Sequence, residues 1–469
     1  MLLSLVCKVI QFNLHMTNKK ISYGIDFGTT NSTVAYVDEN NKVIKLPLDP
    51  ESENPTVIRS VIYASPDGQF LFGKPAVDAY LASIAINKAK TKKTIFTGNY
   101  IKINDENGRN QIVPEVIDID VFNGGRLLQS LKSALSSSSI KEINLFGKVY
   151  KIEEIVGMYL KELKNRADKI VGQNVTSVVI GRPVEYVGGD NNLAIERMEK
   201  ALKIAGFKDI KFEYEPVGAA YDYGINVKIP QKILVFDFGG GTLDVSIFKF
   251  PEKEVLINVG LAIGGDHFNS EIFMIKLSKY FGSEATYGLA NLKLPKYIFS
   301  SLENWYEISL LKSSTFEYHI QHFHYKCSDP KSLERLRSLV VNNLGFNMYE
   351  EIERVKKELS TNSEGQYKFH TKDIDIETNI KKEEFEKITE TDREDIKKLI
   401  KNATKSANLT LNDIDVVTTT GGSSLVPSIQ KLLEDMFGND KIQKSDAFTG
   451  VASGLAIIAN EKQLQSTAL

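Results

Sequence analysis

The chain is poor in cysteine and tryptophan, carries almost no net charge, and has no long apolar run. Its 469 residues include two cysteines, Cys7 and Cys327, and one tryptophan. Two cysteines cannot build a disulfide framework, so a reducing, cytoplasmic setting is the default expectation. The 58 basic and 60 acidic side chains leave a formal net charge of −2. That balance supplies no field to draw the chain to nucleic acid or an anionic membrane, and neither partner is expected. No apolar stretch reaches the ~18–20 residues of a membrane-spanning helix. Global disorder is excluded as well, because a 42% hydrophobic content supports large buried cores. At ~100–200 residues per domain, the length suggests two to four domains. A monomer is expected.

The first residues need separate treatment. Met1 to Ile10 is apolar apart from Ser4 and Lys8. A signal peptide would need a basic start and a small-residue cleavage site, and neither is present. Residues 1–20 therefore read as a disordered N-terminal extension. Met16-Thr17-Asn18-Lys19-Lys20 also resembles an ordinary start.

One local device occurs twice. A buried strand, Ile21 to Asp26, runs into a Gly/Thr turn and a second strand from Thr33 to Val37. The pattern returns at Ile233 to Asp237, with a turn at Phe238 to Thr242 and a return strand at Leu243 to Phe248. Each copy carries Asp-Phe-Gly, at Asp26-Phe27-Gly28 and Asp237-Phe238-Gly239. Leu243, Val245 and Ile247 alternate with Asp244 and Ser246, the period of a half-buried strand. A further strand is expected at Ser177 to Gly181 and a helix at Pro216 to Tyr223, where proline suits the first turn. A mostly helical stretch should cover Asn269 to Ser360. Lys381 to Asn402 reads as a solvated charged helix. Near the end come a strand at Asp415 to Thr420, a Gly421-Gly422 turn, and a helix at Pro427 to Phe437 closed by Gly438. Ile429, Leu432, Leu433 and Met436 give that helix one apolar stripe. The alternation of strands and helices argues an α/β protein, duplicated and two-lobed.

The two turns carry the chemistry. Glycines let a ligand approach the backbone, and consecutive N–H groups make an anion nest. Gly239-Gly240-Gly241-Thr242 suits phosphate, and Gly28-Thr29-Thr30 adds two hydroxyls. Asp26 and Asp237, facing each other across phosphates, would need a cation between them, and Mg²⁺ held through water is the usual answer. The plain alternative is a pair of tight hairpins with glycine placed for positive φ. Three other signals are decoys. Asp-Phe-Gly marks protein kinases, but no His-Arg-Asp loop or Gly-x-Gly-x-x-Gly loop accompanies it. Gly68 to Lys74 matches a P-loop spacing, yet Pro75 replaces the hydroxyl residue and Gln69-Phe70-Leu71-Phe72 reads as a strand. His319, His322, His324 and Cys327 fit no standard zinc spacing and sit among Tyr318, Phe323 and Tyr325, which suggests a packed aromatic surface.

Four motifs resemble the nucleotide-binding part of the heat-shock 70 chaperone family, within the actin/hexokinase-like ATPase superfamily. They are Gly24-Ile25-Asp26-Phe27-Gly28-Thr29-Thr30-Asn31-Ser32, Glu215-Pro216-Val217-Gly218-Ala219-Ala220, Val235 through Ser246, and Gly421-Gly422-Ser423-Ser424-Leu425-Val426-Pro427. The short, YegD-like bacterial branch is most similar in length. The resemblance implies ATP or ADP with Mg²⁺. It implies Asp26 and Asp237 as metal carboxylates acting through water. Gly28, Thr29, Thr30, Asn31, Gly239, Gly240, Gly241 and Thr242 become hydrogen-bond donors to the phosphates, with Thr242 also orienting the attacking water. Glu215 would lie near the water and the metal, and Asp244 near the γ-phosphate. Lys132 is the choice for the catalytic lysine, against an ordinary surface lysine. Glu353, Lys356 and Ser360 share one helix face and resemble an adenosine-contacting trio. Gly421, Gly422 and Ser423 match the adenosine-side turn, and Gly264 and Gly265 the glycine pair before the second lobe's helices. The sequence departs from the family where Leu425 replaces an adenine-stacking arginine and Phe448 an acidic residue.

The resemblance implies an actin-like fold of two ribonuclease-H-like lobes. Lobe I would span residues 21–230 with an outer part near 60–149. Lobe II would span 231–445 with an outer part near 266–387, and a closing helix in 446–469 would return to lobe I. A peptide-binding domain is not expected within this length. Three function classes follow: an ATP-dependent chaperone-like switch with an unidentified protein client or co-chaperone, a metabolite kinase on the same fold, and a filament-forming ATPase. The motif set favours the first.

Overall fold

The computed structural model describes residues 20–86, 91–104, 110–121, 125–138, 140–186, 190–224, 227–308, 311, 314–444, 446 and 448–467. The N-terminal extension and Cys7 lie outside these residues.

Two sheets of the same topology form the frame. In the first, β1 (Ser22–Phe27) pairs antiparallel with β2 (Asn31–Val37), which pairs antiparallel with β3 (Val43–Lys45). On its other side β1 runs parallel to β4 (Ser177–Arg182), and β4 parallel to β5 (Asp209–Tyr214). The second sheet repeats this plan with β6 (Gln231–Phe238), β7 (Leu243–Phe250) and β8 (Glu254–Leu261) antiparallel. Parallel strands β9 (Val416–Thr420) and β10 (Ile442–Lys444) complete it. The repeated Asp-Phe-Gly therefore marks a duplicated sheet as well as a duplicated turn. Asp26 pairs with Thr33 and Asp237 with Asp244, so each acid ends the central strand of its sheet.

Helices cover the sheets. On the first, α1 (Ile152–Val171) and α2 (Asn191–Ala205) bury Tyr159, Leu160, Met198 and Leu202 against Ile25, Phe27 and Ile180. The Asp190 side chain caps α2 by accepting from Leu193 N–H, and Gly206, at φ 98°, ends it. α3 (Glu215–Gly224) follows β5. In the second lobe, α4 (Gly265–Ile272) and α5 (Gly345–Glu358) pack on one large apolar core with Phe236, Phe238 and Leu243. α6 (Glu390–Ser406) and α7 (Pro427–Phe437) join that core. The stripe expected on α7 is present: Ile429 and Leu433 are buried, with Leu432 and Met436 packed beside them.

The span Lys381 to Asn402 departs from the expected single solvated helix. It divides into the end of a strand, a helix Lys382–Ile388, and α6. Ile396, Ile400 and Ala403 are buried. Their i, i+4, i+7 spacing is a core-facing stripe that the surrounding charges mask.

The closing helix α8 (Gly450–Thr467) crosses α3, and together they hold the two sheets. Val217, Ala220, Val451 and Leu455 share a core with Val179 of β4 and with Ile233 and Val235 of β6. Small residues permit this crossing. A Cβ on Gly454 would lie 1.7 Å from the Gly218 carbonyl oxygen, and one on Gly24 of β1 would lie 2.2 Å from the Ala456 nitrogen.

Candidate functional site

The two Asp-Phe-Gly turns close in the same way. Gly28 N–H donates to the Asn31 carbonyl at 2.9 Å, and Gly239 N–H donates to the Thr242 carbonyl at 3.0 Å. None of Gly28, Gly239, Gly240 and Gly241 has a positive φ. Their lack of a side chain therefore serves close approach rather than a left-handed backbone. The tips face each other. A Cβ on Gly240 would meet Thr30 Oγ1 at 2.4 Å, and one on Gly241 would meet Thr29 Oγ1 at 2.8 Å.

Beneath the tips lies a dense group of charges. Lys132 is 6% exposed, on a short helix Leu131–Leu135, and its Nζ is 2.6 Å from Glu215 Oε1 in the first turn of α3. This is not a surface lysine. Burial opposes its charge, but Glu215 and then Asp26 outweigh that and hold its pKa above the ordinary lysine value. Burial, the Glu215 carboxylate and then Asp237 push Asp26 well above the usual carboxyl range. Burial, Glu215 and Asp244 do the same to Asp237. Asp244, also pushed up by burial and Glu215, reaches about 7 although Val184 N–H donates to it at 2.9 Å. Four carboxylates thus surround one ammonium. Such a group strongly favours an added cation, and an all-oxygen donor set suits Mg²⁺.

Behind the second turn, Gly265 and Asp266 N–H groups donate to the Gly239 and Gly240 carbonyls at 3.1 and 2.9 Å. Gly264 allows the approach, since a Cβ there would lie 2.2 Å from the Gly240 oxygen. Ser423 Oγ donates to the Gly239 carbonyl at 2.7 Å. Gly421 takes φ 79° at the start of this last turn, a conformation that favours glycine. On α5, Lys356 Nζ lies 2.6 Å from Glu353 Oε2 and donates to the Gly265 carbonyl at 3.0 Å. Asn269 donates to the same Glu353 oxygen. The trio does not share one helix throughout, because α5 ends at Glu358 and Ser360 occupies the following turn, bonded to the Lys356 carbonyl. Leu425 and Phe448 are exposed near Gly422, with the Phe448 ring 3.4 Å from a Gly422 Cβ.

Sequence reasoning missed two groups here. Tyr186 is 3% exposed and its hydroxyl has no hydrogen-bond partner. Burial moves that phenol up to about 12, with Lys132 opposing the rise and Glu215 adding to it. Asp266 is enclosed between Gly240 and Lys356, and burial raises it to about 6. No spacing pattern marks the first, whereas the second adjoins a quoted glycine pair. The decoys separate from the cleft. Phe70–Phe72 is a strand, and Lys74 opens a helix where it pairs with Asp78. His319 bonds the Tyr297 hydroxyl at 3.0 Å, and His322 and Phe323 stack with Tyr287. Among the described residues these histidines and Cys327 form no metal cluster.

Duplicated sheets around such a cleft define an actin-like ATPase fold with two lobes. A family model described as "Hsp70 protein" matches residues 22–291 and 335–464, and the chain belongs to the Hsp70 family. It is 28% identical to the chaperone protein DnaK of Cyanidioschyzon merolae, over 93% of this chain and 61% of that protein. It is 26% identical to DnaK of Mycoplasmopsis agalactiae, over 94% and 58%, and 27% identical to DnaK of Mycoplasmopsis synoviae, over 94% and 58%. The chain thus spans about three-fifths of the length of these relatives. No helix among the described residues is long and apolar enough to cross a membrane.

Proposed function

We propose that the cleft binds ATP and ADP with Mg²⁺, that the protein hydrolyses ATP to ADP and phosphate, and that the bound nucleotide sets how the lobes close. A partner protein, a client or co-chaperone, would read that closure, as suits a chaperone-like switch. The observation that carries this reading is the group of four carboxylates around Lys132 directly below two opposed glycine turns. A bound Mg²⁺ would neutralise phosphate charge, with Asp26 and Asp237 holding it through water.

The chain's own groups then have distinct tasks. Gly28, Thr29, Thr30 and Asn31 on one side, and Gly239 to Thr242 on the other, offer N–H and hydroxyl donors to the β- and γ-phosphates. Lys132 brings a fixed positive charge to the γ-phosphate, held in place by Glu215. Thr242, Glu215 and Asp244 orient the attacking water, and the Tyr186 hydroxyl adds a donor beside them. Glu353, Lys356, Ser360, Gly421, Gly422 and Ser423 line the adenosine side, and Gly264 and Gly265 keep the second turn close to it. In-line attack on phosphorus needs positioning and charge neutralisation, which this set supplies.

The test is phosphate release from ATP by wild type and Asp237→Asn, with circular dichroism confirming that both fold. The expected result is slow release by wild type and a loss of roughly a hundredfold or more in the variant, several kcal/mol of transition-state stabilisation. Equal rates would contradict the assignment of Asp237. Binding of ATP by wild type without any release would leave a switch or a kinase awaiting an acceptor.

A further inference from the structure

A second group of metal-ligand side chains lies behind the phosphate turn. On α4, His267 and Glu271 are four residues apart and so share a face. Asp392, on α6, reaches the same point. One ligand atom from each of the three lies within 4.8 Å of the others. His267 Nε2 stands 3.5 Å from Asp392 Oδ1. That matches the ~3.4 Å between neighbouring ligand atoms of a tetrahedral ion with bonds of about 2.0–2.2 Å.

A separate observation also points to a ligand. Asp392 is 7% exposed, and its Oδ2 is buried with no hydrogen-bond partner. Glu271 Oε2, beside it, is also buried and unpartnered. A buried carboxyl beside a half-buried one is costly unless a proton or a cation sits between them, and His267 is paired with one of the two. The donor set narrows the choice. One imidazole nitrogen with two carboxylates disfavours Mg²⁺ and Ca²⁺, which take oxygen ligands, and the absence of thiolate disfavours Cu(I). The His267 side chain is 45% exposed, so water can complete the coordination.

We propose that His267, Glu271 and Asp392 form a three-ligand site for a divalent transition ion of the Zn²⁺ type, bracing α4 against α6. The brace stands next to the cleft. α4 begins at Gly265, whose N–H bonds the Gly239 carbonyl, and Asp266 N–H bonds that of Gly240. An ion here would fix the helix that supports the second glycine turn. The site is separate from the Asp26 and Asp237 carboxylates and requires neither nucleotide nor hydrolysis.

Co²⁺ titration of the full chain, in excess Mg²⁺ and without nucleotide, tests this through visible d–d absorption. Wild type should take up one equivalent with a new visible band, and Zn²⁺ should displace it. His267→Ala and Asp392→Asn should each weaken binding by at least about tenfold. The doubly substituted His319→Ala/His322→Ala and the cleft variant Asp237→Asn should keep it. The imidazole of His267 is nearly half exposed, so His267→Ala tests the site with less risk to folding than Asp392→Asn carries. No band in wild type, or a band unmoved by His267→Ala, overturns the proposal. Absence of Co²⁺ binding with a higher melting midpoint for Asp392→Asn would mean that the two acids only share a proton.

Discussion

Asp222, on α3, gives the clearest single-residue consequence. Burial is the main force on its carboxyl. Lys45 favours the charge and Asp446 opposes it, and the result is a pKa of about 6. Lys45 and Asp446 themselves pair at 2.8 Å, so Asp222 faces a partly satisfied cation. Its folded pKa lies above the ordinary 3.8. The native state therefore keeps a proton that the unfolded chain has lost, and stability falls as pH rises from about 4 to about 6. Asp222→Asn removes this penalty. The variant should be more stable than wild type at pH 7.5, by on the order of 1–3 kcal/mol, with the gain vanishing near pH 4. Denaturant melts at the two pH values check it, and a gain equal at both would refute it. The residue scale is also where the sequence was least legible. Asp26 and Asp237 could be found because each sits in a repeated motif. Lys132 was chosen through the family resemblance, and its buried pairing with Glu215, 83 residues away, had no local signal. Tyr186 faces the same pair with no motif around it.

Among the elements, the crossing of α3 and α8 decides how the lobes are held. Alanine is a better helix former than glycine by ~1 kcal/mol, so propensity alone predicts that Gly454→Ala stabilises α8. The crossing predicts the reverse. A Cβ only 1.7 Å from the Gly218 carbonyl oxygen must push the helices apart, and overpacking against backbone costs about 1–3 kcal/mol. Thermal unfolding of Gly454→Ala should therefore show a lower midpoint, and an unchanged or higher one would contradict the packing. The turn glycines follow the same logic. Gly240 and Gly264 are required by neighbouring atoms, not by φ, which a sequence cannot distinguish. Elements with a clean period were legible: β1, β6, β7, β9 and α7 fall within a residue or two of their expected bounds. α6 was misjudged because its charges hid a narrow apolar stripe.

The whole molecule reads as one plan used twice. Two sheets with matching order place one acid each at the floor of a shared cleft, and α3 and α8 tie the sheets below it. This much was legible because the strand–turn–strand device repeats with its Asp-Phe-Gly intact. The outer parts were not legible. Residues 91–104 pair antiparallel with 110–121 in a long ladder, and Glu364–His370 pairs with Asp375–Lys381, two ladders that none of the motifs announces. Around the adenosine side, exposed Leu425 and Phe448 stand where the family resemblance led us to expect charge. The proposed role of the cleft rests on its holding a nucleotide. Calorimetric titration of ATP and ADP into the full chain, with Mg²⁺ and again with Mg²⁺ chelated, tests it most directly. One site per chain is expected for each nucleotide, with weaker binding once Mg²⁺ is removed. No binding of either nucleotide in the presence of Mg²⁺ would contradict it and reduce the two opposed turns to scaffold.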